Sequence, residues 1–250
     1  MPAKVKPKFL LALTTTHKAY WQDKVKEIDL LGLKEISIFP TCLELEKRKE
    51  LYGLLEKTGL KKIPFTHLRT DCEQWEIEYL MKRFDCQIFN IHADNLAQSF
   101  LDRCQKYRHL VYIENGEHYQ INPLFKKILD QAAGLCLDFS HWEDYEVRQD
   151  NKNYRNFKKY IAKYKVGCAH ISVIKDEIFT SSDVFGNQSQ FFASHFMKNL
   201  SEFNYMKDYL KYLPEYSAIE IENSLAEQLK AKQYLEQMIK ESYENIDNRR

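Results

Sequence analysis

Short apolar runs alternate with longer amphipathic segments along most of the chain. The run Leu110–Ile113 is followed by a helix-like segment, Pro123–Ala133, and then by a second apolar run, Gly134–Leu137. Short apolar runs bounded by turn residues are typical of buried parallel strands, whereas apolar positions three and four residues apart predict helices. The pattern therefore predicts units of one β-strand followed by one α-helix.

The same alternation predicts eight such units. The strands are expected at Phe9–Thr16, Glu35–Phe39, Lys62–Thr66, Cys86–Ile91, Leu110–Ile113, Gly134–Leu137, Val166–Ala169 and Tyr216–Ile221. The helices are expected at Lys18–Leu31, Leu43–Thr58, Cys72–Phe84, Leu96–Tyr107, Pro123–Ala133, Tyr154–Tyr164, Phe196–Tyr212 and Ser224–Glu241. The first seven strands begin roughly 24–32 residues apart, which is the pitch of a β/α repeat.

Eight repeats in 250 residues predict an α/β protein with one (β/α)8 TIM barrel domain spanning residues 1–250. An open doubly wound sheet is the alternative. A polar segment at about residues 177–194 interrupts the seventh repeat, and we interpret it as a long loop that is either a lid over the site or disordered.

Composition narrows the class of protein. Charged residues make up 29% of the chain and nearly cancel, leaving a net charge of +1, which argues against a strongly basic nucleic-acid-binding protein. No apolar run approaches the ~20 residues of a membrane span. The six cysteines are scattered without a CxxC pair, which indicates reduced thiols and favours the cytoplasm as the compartment.

Residues that commonly bind metal ions follow the predicted strands. In this kind of barrel, catalytic groups come from the C-terminal ends of the strands. The third to eighth strands end, in order, at His67, His92, Glu114, Asp138 with His141, His170, and Glu220. His195 follows the polar segment. Glu222 is a second, weaker candidate for the eighth strand, since it lies two residues after Glu220 and points to the same side of the strand.

This set of side chains predicts a divalent metal site. Mixed imidazole and carboxylate ligands suit Mn²⁺, Zn²⁺, Fe²⁺ or Co²⁺, with Mg²⁺ as a further candidate. Clustered carboxylates without a cation would repel one another and be forced to take up protons, whereas a bound metal removes that problem.

Six short motifs resemble the xylose isomerase-like barrel superfamily. They are FTH at residues 65–67, IHAD at 91–94, IEN at 113–115, CLDFSH at 136–141, AHIS at 169–172 and AIEIE at 218–222. This superfamily includes sugar isomerases and epimerases as well as the endonuclease IV family (AP endonuclease family 2). The resemblance implies a four-ligand metal site formed by Glu114, Asp138, His170 and Glu220.

The resemblance also distinguishes two branches. His67, His92, His141 and His195 fall where the nuclease branch holds additional zinc ions. Nucleases of the family carry an Asp-Arg-His triplet after the seventh strand, whereas this chain has Ala193-Ser194-His195, so one zinc ligand is missing.

Three functions are compatible with these residues. The first is a metal-dependent isomerase or epimerase that acts on a sugar or sugar phosphate by proton transfer through a metal-bound enediolate, with Glu114 and Glu220 as acid and base. In that case His141, Trp142, Lys175 and Arg69 are the candidates for contacting the substrate. The second is an endonuclease IV-like zinc phosphodiesterase acting on abasic DNA, and the third is a non-catalytic barrel that binds a metal or ligand. The loops after the strands are more often acidic or neutral than basic, which favours a small polar substrate over nucleic acid.

Overall fold

Eight parallel strands close into a barrel in the computed structural model of the chain, which describes residues 6–16, 19–116, 123–150, 157–182 and 188–247. The barrel strands are β1 (Lys8–Thr14), β2 (Ser37–Phe39), β3 (Phe65–His67), β4 (Ile88–Ile91), β5 (Val111–Glu114), β6 (Gly134–Asp138), β7 (Val166–Ile171) and β10 (Tyr216–Ile219). Their order around the barrel follows the chain, and β10 closes it by pairing with both β7 and β1. The predicted (β/α)8 barrel is thus confirmed.

Helices follow the barrel strands. They are α1 (Trp21–Leu30), α2 (Leu45–Leu55), α3 (Gln74–Phe84), α4 (Ala97–Arg103), α5 (Pro123–Leu129), α6 (Phe139–Trp142), α7 (Lys158–Lys163) and α8 (Leu225–Asp247). The helix α3 shows why such segments fold as they do. Glu73 and Glu76 form a reciprocal capping box at its start, and its apolar residues Ile77, Leu80 and Phe84 recur at helical spacing and are fully buried. In the described part of the chain, no helix is long and apolar enough to cross a membrane.

A buried ion pair joins α2 to α3. The guanidinium of Arg48 donates two hydrogen bonds to the carboxylate of Glu76, at 2.8 and 2.9 Å, and both side chains are almost fully buried. Tyr52 donates a third hydrogen bond to Glu76 at 3.0 Å, and Arg48 also donates to the carbonyl oxygen of Leu43. Both charges are therefore well satisfied inside the helical layer.

The inward-facing side chains of the barrel form an apolar layer and, at the C-terminal ends of the strands, a polar layer. One set of inward residues fills the barrel: Leu10, Ala12, Phe39, Phe65, Tyr112, Cys136, Cys168 and Ala218. Successive side chains of a strand point to opposite faces, so the residue two positions later faces inward again. For five of these strands that residue is His67, Glu114, Asp138, His170 or Glu220. The metal-binding types therefore form the layer above the apolar filling.

A β-bulge adjusts the seam between β6 and β7. The register shifts between Leu135 and Cys136, after which Cys136 pairs with Cys168 and Asp138 with His170. Gly167 lies at this irregularity, where an added Cβ would come within 2.0 Å of the ring of Tyr112. Glycine is therefore required here for the tyrosine ring to fill the barrel.

The polar segment after the seventh strand differs from the predicted loop. It forms an antiparallel ribbon of β8 (Val173–Ser182) and β9 (Gln188–Ser194), and residues 183–187 lie outside the described residues. The carboxylate of Asp144 anchors this ribbon by accepting hydrogen bonds from two backbone amides of β9, at 3.0 and 2.9 Å. No described residue of β8 or β9 lines the cavity described below, so the lid remains a prediction.

The predicted helix at Phe196–Tyr212 is wrong in type. The segment consists of 3₁₀ turns at Leu200–Asp208 and Leu210–Tyr212. Its buried side chains Phe203, Met206 and Tyr209 recur every three residues, which is the period of a 3₁₀ helix rather than an α-helix.

Candidate metal centre

Glu114 lies at the centre of a cluster of histidines at the C-terminal end of the barrel. Its Oε2 is 3.6 Å from Nε2 of His67 and 3.2 Å from Nδ1 of His170. Its Oε1 is 3.6 Å from Nε2 of His92 and 4.0 Å from Nδ1 of His141. The two oxygens of this buried carboxylate thus face different pairs of imidazoles.

Four of the predicted ligands converge around one imidazole nitrogen. Nδ1 of His170 is 3.2 Å from Oε2 of Glu114, 3.2 Å from Oε2 of Glu220 and 4.0 Å from Oδ2 of Asp138. A tetrahedral ion with bonds of about 2.0–2.1 Å separates its ligand atoms by roughly 3.3 Å. The donor spacing therefore suits a small divalent cation after minor adjustment of the side chains.

Several buried polar atoms of this cluster lack hydrogen-bond partners among the described residues. They are both ring nitrogens of His67, both ring nitrogens of His170, and Oδ2 of Asp138. Buried polar atoms in folded proteins are nearly always paired, because an unpaired one keeps the full cost of desolvation. The imidazole and carboxylate donors among these atoms are types that a divalent cation would bind.

Charge in the cluster is balanced internally when no metal is bound. Burial alone would lower the pKa of His170, but the facing carboxylates of Glu114 and Glu220 raise it to about 10. Burial opposes ionisation of Glu114, yet the histidines around it hold its pKa well below the usual range. His67 is different, because burial lowers its pKa to about 3 and leaves it neutral. A protonated His170 therefore occupies the place that a cation would take.

The motif CLDFSH places Asp138 and His141 side by side. Oδ1 of Asp138 accepts hydrogen bonds from the backbone amide of His141 at 2.8 Å and from the hydroxyl of Ser140 at 2.6 Å, which caps the short helix α6. The cap uses only one of the two carboxylate oxygens of Asp138. The other oxygen, Oδ2, is left for the metal site.

Two asparagines that the sequence analysis did not single out support the ligands. Asn90 is fully buried and donates from Nδ2 to Oε2 of Glu114 at 2.9 Å. Asn115 pairs with the backbone of Asp138 in both directions, donating to its carbonyl oxygen at 2.9 Å and accepting from its amide at 2.7 Å. Both asparagines could have been predicted from their places in the sequence. Asn90 lies two residues before His92 on the same face of β4, and Asn115 directly follows Glu114.

His195 is held against the backbone of the last strand. Its Nδ1 lies 3.0 Å from the carbonyl oxygen of Glu220 and 3.2 Å from the hydroxyl of Ser172. The amide of Glu222 donates to the carbonyl oxygen of His195 at 2.5 Å. His195 and Glu220 both line the cavity, whereas Glu222 does not, so Glu220 is the better placed of the two glutamates.

The cluster opens into a cavity of about 880 Å³. Its lining includes Thr16, Thr41, Cys42, Arg69, Thr70, Asp71, His92, Asp94, Glu114, Asp138, His141, His195 and Glu220. Arg69, one of the predicted substrate contacts, is tied to two carboxylates: Nε is 3.0 Å from Asp71 and Nη1 is 3.2 Å from Glu44. The wall also includes apolar residues such as Leu68, Leu96 and Phe125, and its charged side chains are more often acidic than basic.

Two other predicted substrate contacts lie elsewhere. Trp142 is buried on the outer side of the strands, where its ring packs against Phe157, Tyr209 and Tyr212. Lys175 forms an ion pair with Glu202 at 2.8 Å and donates to a backbone carbonyl oxygen. Neither side chain lines the described cavity.

Comparisons with known proteins return structures of similar fold. No protein-family model matches the sequence, and no curated protein matches it. A xylose isomerase domain-containing protein from Salmonella typhimurium LT2 superposes with a TM-score of 0.45 at 11% identity, over 92% of this chain and 96% of that one. The apo form of 3-keto-D-glucoside 4-epimerase from E. coli superposes with a TM-score of 0.42 at 10% identity, over 92% of this chain and 99% of the epimerase.

Proposed function

We propose that the chain is a divalent-metal-dependent isomerase or epimerase acting on a small sugar or sugar phosphate. The observation that carries the proposal is the convergence of Glu114, Asp138, His170 and Glu220 beside an open cavity. Bound there, Mn²⁺, Zn²⁺, Fe²⁺, Co²⁺ or Mg²⁺ would polarise a substrate carbonyl or hydroxyl oxygen as a Lewis acid.

The two glutamates are suited to moving a proton. The neighbouring histidines hold the pKa of Glu114 well below its usual range, and the pKa of Glu220 is lowered to about 2, so both are ionised at neutral pH. One carboxylate takes the proton from the carbon next to the substrate carbonyl and, now protonated, returns it to the neighbouring carbon. Delivery to the opposite face uses the other carboxylate after it has taken up a proton from solvent. His141 lies at the cavity wall, with Nδ1 3.3 Å from the carbonyl oxygen of Asn115, and orients a substrate hydroxyl.

The cavity favours a small polar substrate. Its volume of about 880 Å³ suits a monosaccharide with its water, and its described wall carries the carboxylates of Asp71 and Asp94 away from the metal ligands. Arg69 is the cationic side chain in that wall, and its charge is already balanced by Asp71 and Glu44. A polyanionic nucleic acid would meet little attraction here.

Solvent exchange tests this proposal. The metal-loaded protein is incubated in D₂O with panels of ketoses, aldoses and their phosphates, and proton NMR follows loss of the hydrogen next to the carbonyl. We expect exchange or interconversion of at least one sugar with the wild type and a loss of at least 100-fold with Glu114→Gln or Glu220→Gln. Glu222→Gln is the matched control and should keep wild-type activity, because Glu222 does not line the cavity. A metal-loaded protein that exchanges no sugar would contradict the proposal.

A zinc phosphodiesterase is the second candidate, and one observation favours it. Both oxygens of Glu114 face imidazoles, His92 and His141 on one side and His67 and His170 on the other, which leaves room for a bridged pair of ions. Paired ions are typical of phosphoryl-transfer enzymes. Cleavage of an oligonucleotide with one abasic site by the zinc-loaded protein, together with two or three zinc ions per chain, would replace the first proposal with this one.

A further inference from the structure

A thiol lies directly beneath the candidate metal centre. Cys136 is an inward residue of β6, two positions before Asp138, and it is fully buried. Glu114 is its register partner on β5. One donor atom each from Cys136, Glu114 and His170 can be chosen so that all three lie within 4.8 Å of one another. Cys136 lies one layer deeper in the barrel than Glu114, His170, Asp138 and Glu220.

A second thiol stands next to the first. The bulge between β6 and β7 brings Cys168 into register with Cys136, and both point into the barrel. Neither forms a disulfide. The barrel interior at this level is otherwise filled by apolar side chains, so two thiols are the soft donors available below the carboxylates.

The histidine above these thiols also lies close enough to Cys136 to share a cation with it. His170 is fully buried, and neither of its ring nitrogens makes a hydrogen bond with a described residue. Nδ1 faces Glu114 and Glu220, whereas metal-bound histidines usually engage their second nitrogen as well. The unpaired imidazole and the thiols are thus neighbours in the same buried space.

We propose that the barrel holds an inner metal position, formed by Cys136, His170 and Glu114, that takes a thiophilic divalent cation such as Zn²⁺, Co²⁺ or Cd²⁺. The position rests on the metal centre proposed above and shares two of its four ligands. A tetrahedral ion with bonds of about 2.0–2.3 Å separates its donors by roughly 3.3–3.8 Å, so the three side chains need to close by at most about 1.5 Å.

Binding at the inner position proceeds with release of a proton. A cation binds the thiolate form of cysteine, so the thiol proton of Cys136 leaves to solvent as the cation binds. Because an ion there takes Glu114 and His170 from the outer position, thiophilic metals at this level should inhibit the proton-transfer chemistry supported by Mn²⁺ or Mg²⁺.

Cobalt spectroscopy tests the inner position without relying on activity. Co²⁺ is titrated into the metal-free protein, and the visible ligand-field bands and the near-ultraviolet thiolate-to-cobalt charge-transfer band are recorded. We expect both kinds of band in the wild type, loss of the charge-transfer band in Cys136→Ser, and an unchanged spectrum in Cys104→Ser. Cys104 is a matched control, because it is equally buried and belongs to the other core cluster. Visible bands that remain in Cys136→Ser show that this variant is folded and still binds cobalt.

The outcomes separate this inference from the proposed function. Visible bands without a charge-transfer band in the wild type would overturn the inner position and leave the outer metal centre standing. A charge-transfer band that persists in Cys136→Ser but disappears in Cys42→Ser would also overturn it, because Cys42 is the exposed thiol at the cavity wall. Absence of any cobalt band in the wild type would overturn both the inner position and the metal centre.

Discussion

Removing the side-chain amide of Asn90 should weaken metal binding without unfolding the protein. Asn90 is fully buried on β4 and donates one hydrogen bond of 2.9 Å to Glu114, the carboxylate that the four histidines surround. The variant Asn90→Leu keeps nearly the same volume but loses this donor. The carboxylate then has one fewer contact that fixes its orientation toward the site.

The size of the effect follows from the type of bond. A hydrogen bond to a charged group contributes about 1.5–3 kcal/mol. That range corresponds to a dissociation constant roughly 10- to 150-fold higher, since every 1.4 kcal/mol is about tenfold. Groups that support metal ligands typically change affinity by about 10- to 100-fold when removed, which agrees with this estimate.

Isothermal titration of Mn²⁺ into the metal-free protein measures the change. Asn199→Leu is the matched control, because Asn199 is exposed and its side chain makes no capping hydrogen bond. We expect Asn90→Leu to bind at least tenfold more weakly, with an unchanged far-ultraviolet circular dichroism spectrum, and Asn199→Leu to bind as the wild type. Equal affinity of Asn90→Leu and the wild type would refute the view that Glu114 is a metal ligand oriented by this amide.

Three further predictions concern pH, stability and the ribbon. The pKa of His170 is raised to about 10 in the metal-free protein, so its proton is bound at neutral pH and must leave when a metal binds. The affinity for the metal should therefore fall about tenfold for each pH unit of acidification, and calorimetry in buffers of different ionisation enthalpy should show about one proton released per chain near pH 7. A metal affinity that does not change with pH would contradict the assignment of His170 as a ligand. Glu76→Gln should lower the free energy of unfolding in urea by about 3 kcal/mol, because it removes the buried charge that accepts two hydrogen bonds from Arg48 and leaves only the half-exposed Asp71 as a charged partner. The exposed control Glu46→Gln should change it by less than about 1 kcal/mol. Asp144→Ala should speed hydrogen exchange, by roughly tenfold or more, at the two β9 amides that donate hydrogen bonds to the Asp144 carboxylate. Unchanged protection of these amides would show that other contacts hold the ribbon.

The site residues at the strand ends could be predicted from the sequence, because the geometry of a parallel barrel fixes where these residues lie. Once eight repeats are recognised, the last residue of each strand must face the same end, and period-two alternation decides which residues point inward. His67, Glu114, Asp138 and His170 accordingly lie together. The hydrogen bond from the amide of His141 to the carboxylate of Asp138 joins residues three apart, so the sequence spacing alone predicts it.

Residues beyond the strand ends were not readable in the same way. Lys175 follows β7 closely, but the ribbon turns its ammonium group toward Glu202, and only tertiary packing decides this direction. Trp142 comes directly after His141, yet one step along a helix rotates a side chain by about 100°, which carries Trp142 into the core. The ribbon itself lacked the apolar alternation of a buried strand, because its residues are largely exposed.

Metal content measured by elemental analysis shows whether the barrel binds a divalent cation at these four residues. The wild type and Asp138→Ala are purified in parallel, stripped with chelator, reloaded with Mn²⁺, Zn²⁺ or Co²⁺ and desalted before analysis. The claim that Glu114, Asp138, His170 and Glu220 form a metal centre predicts at least one ion per chain in the wild type and its loss in Asp138→Ala. A folded wild type that retains no ion after reloading with any of these metals, or an Asp138→Ala variant that retains as many ions as the wild type, would contradict it.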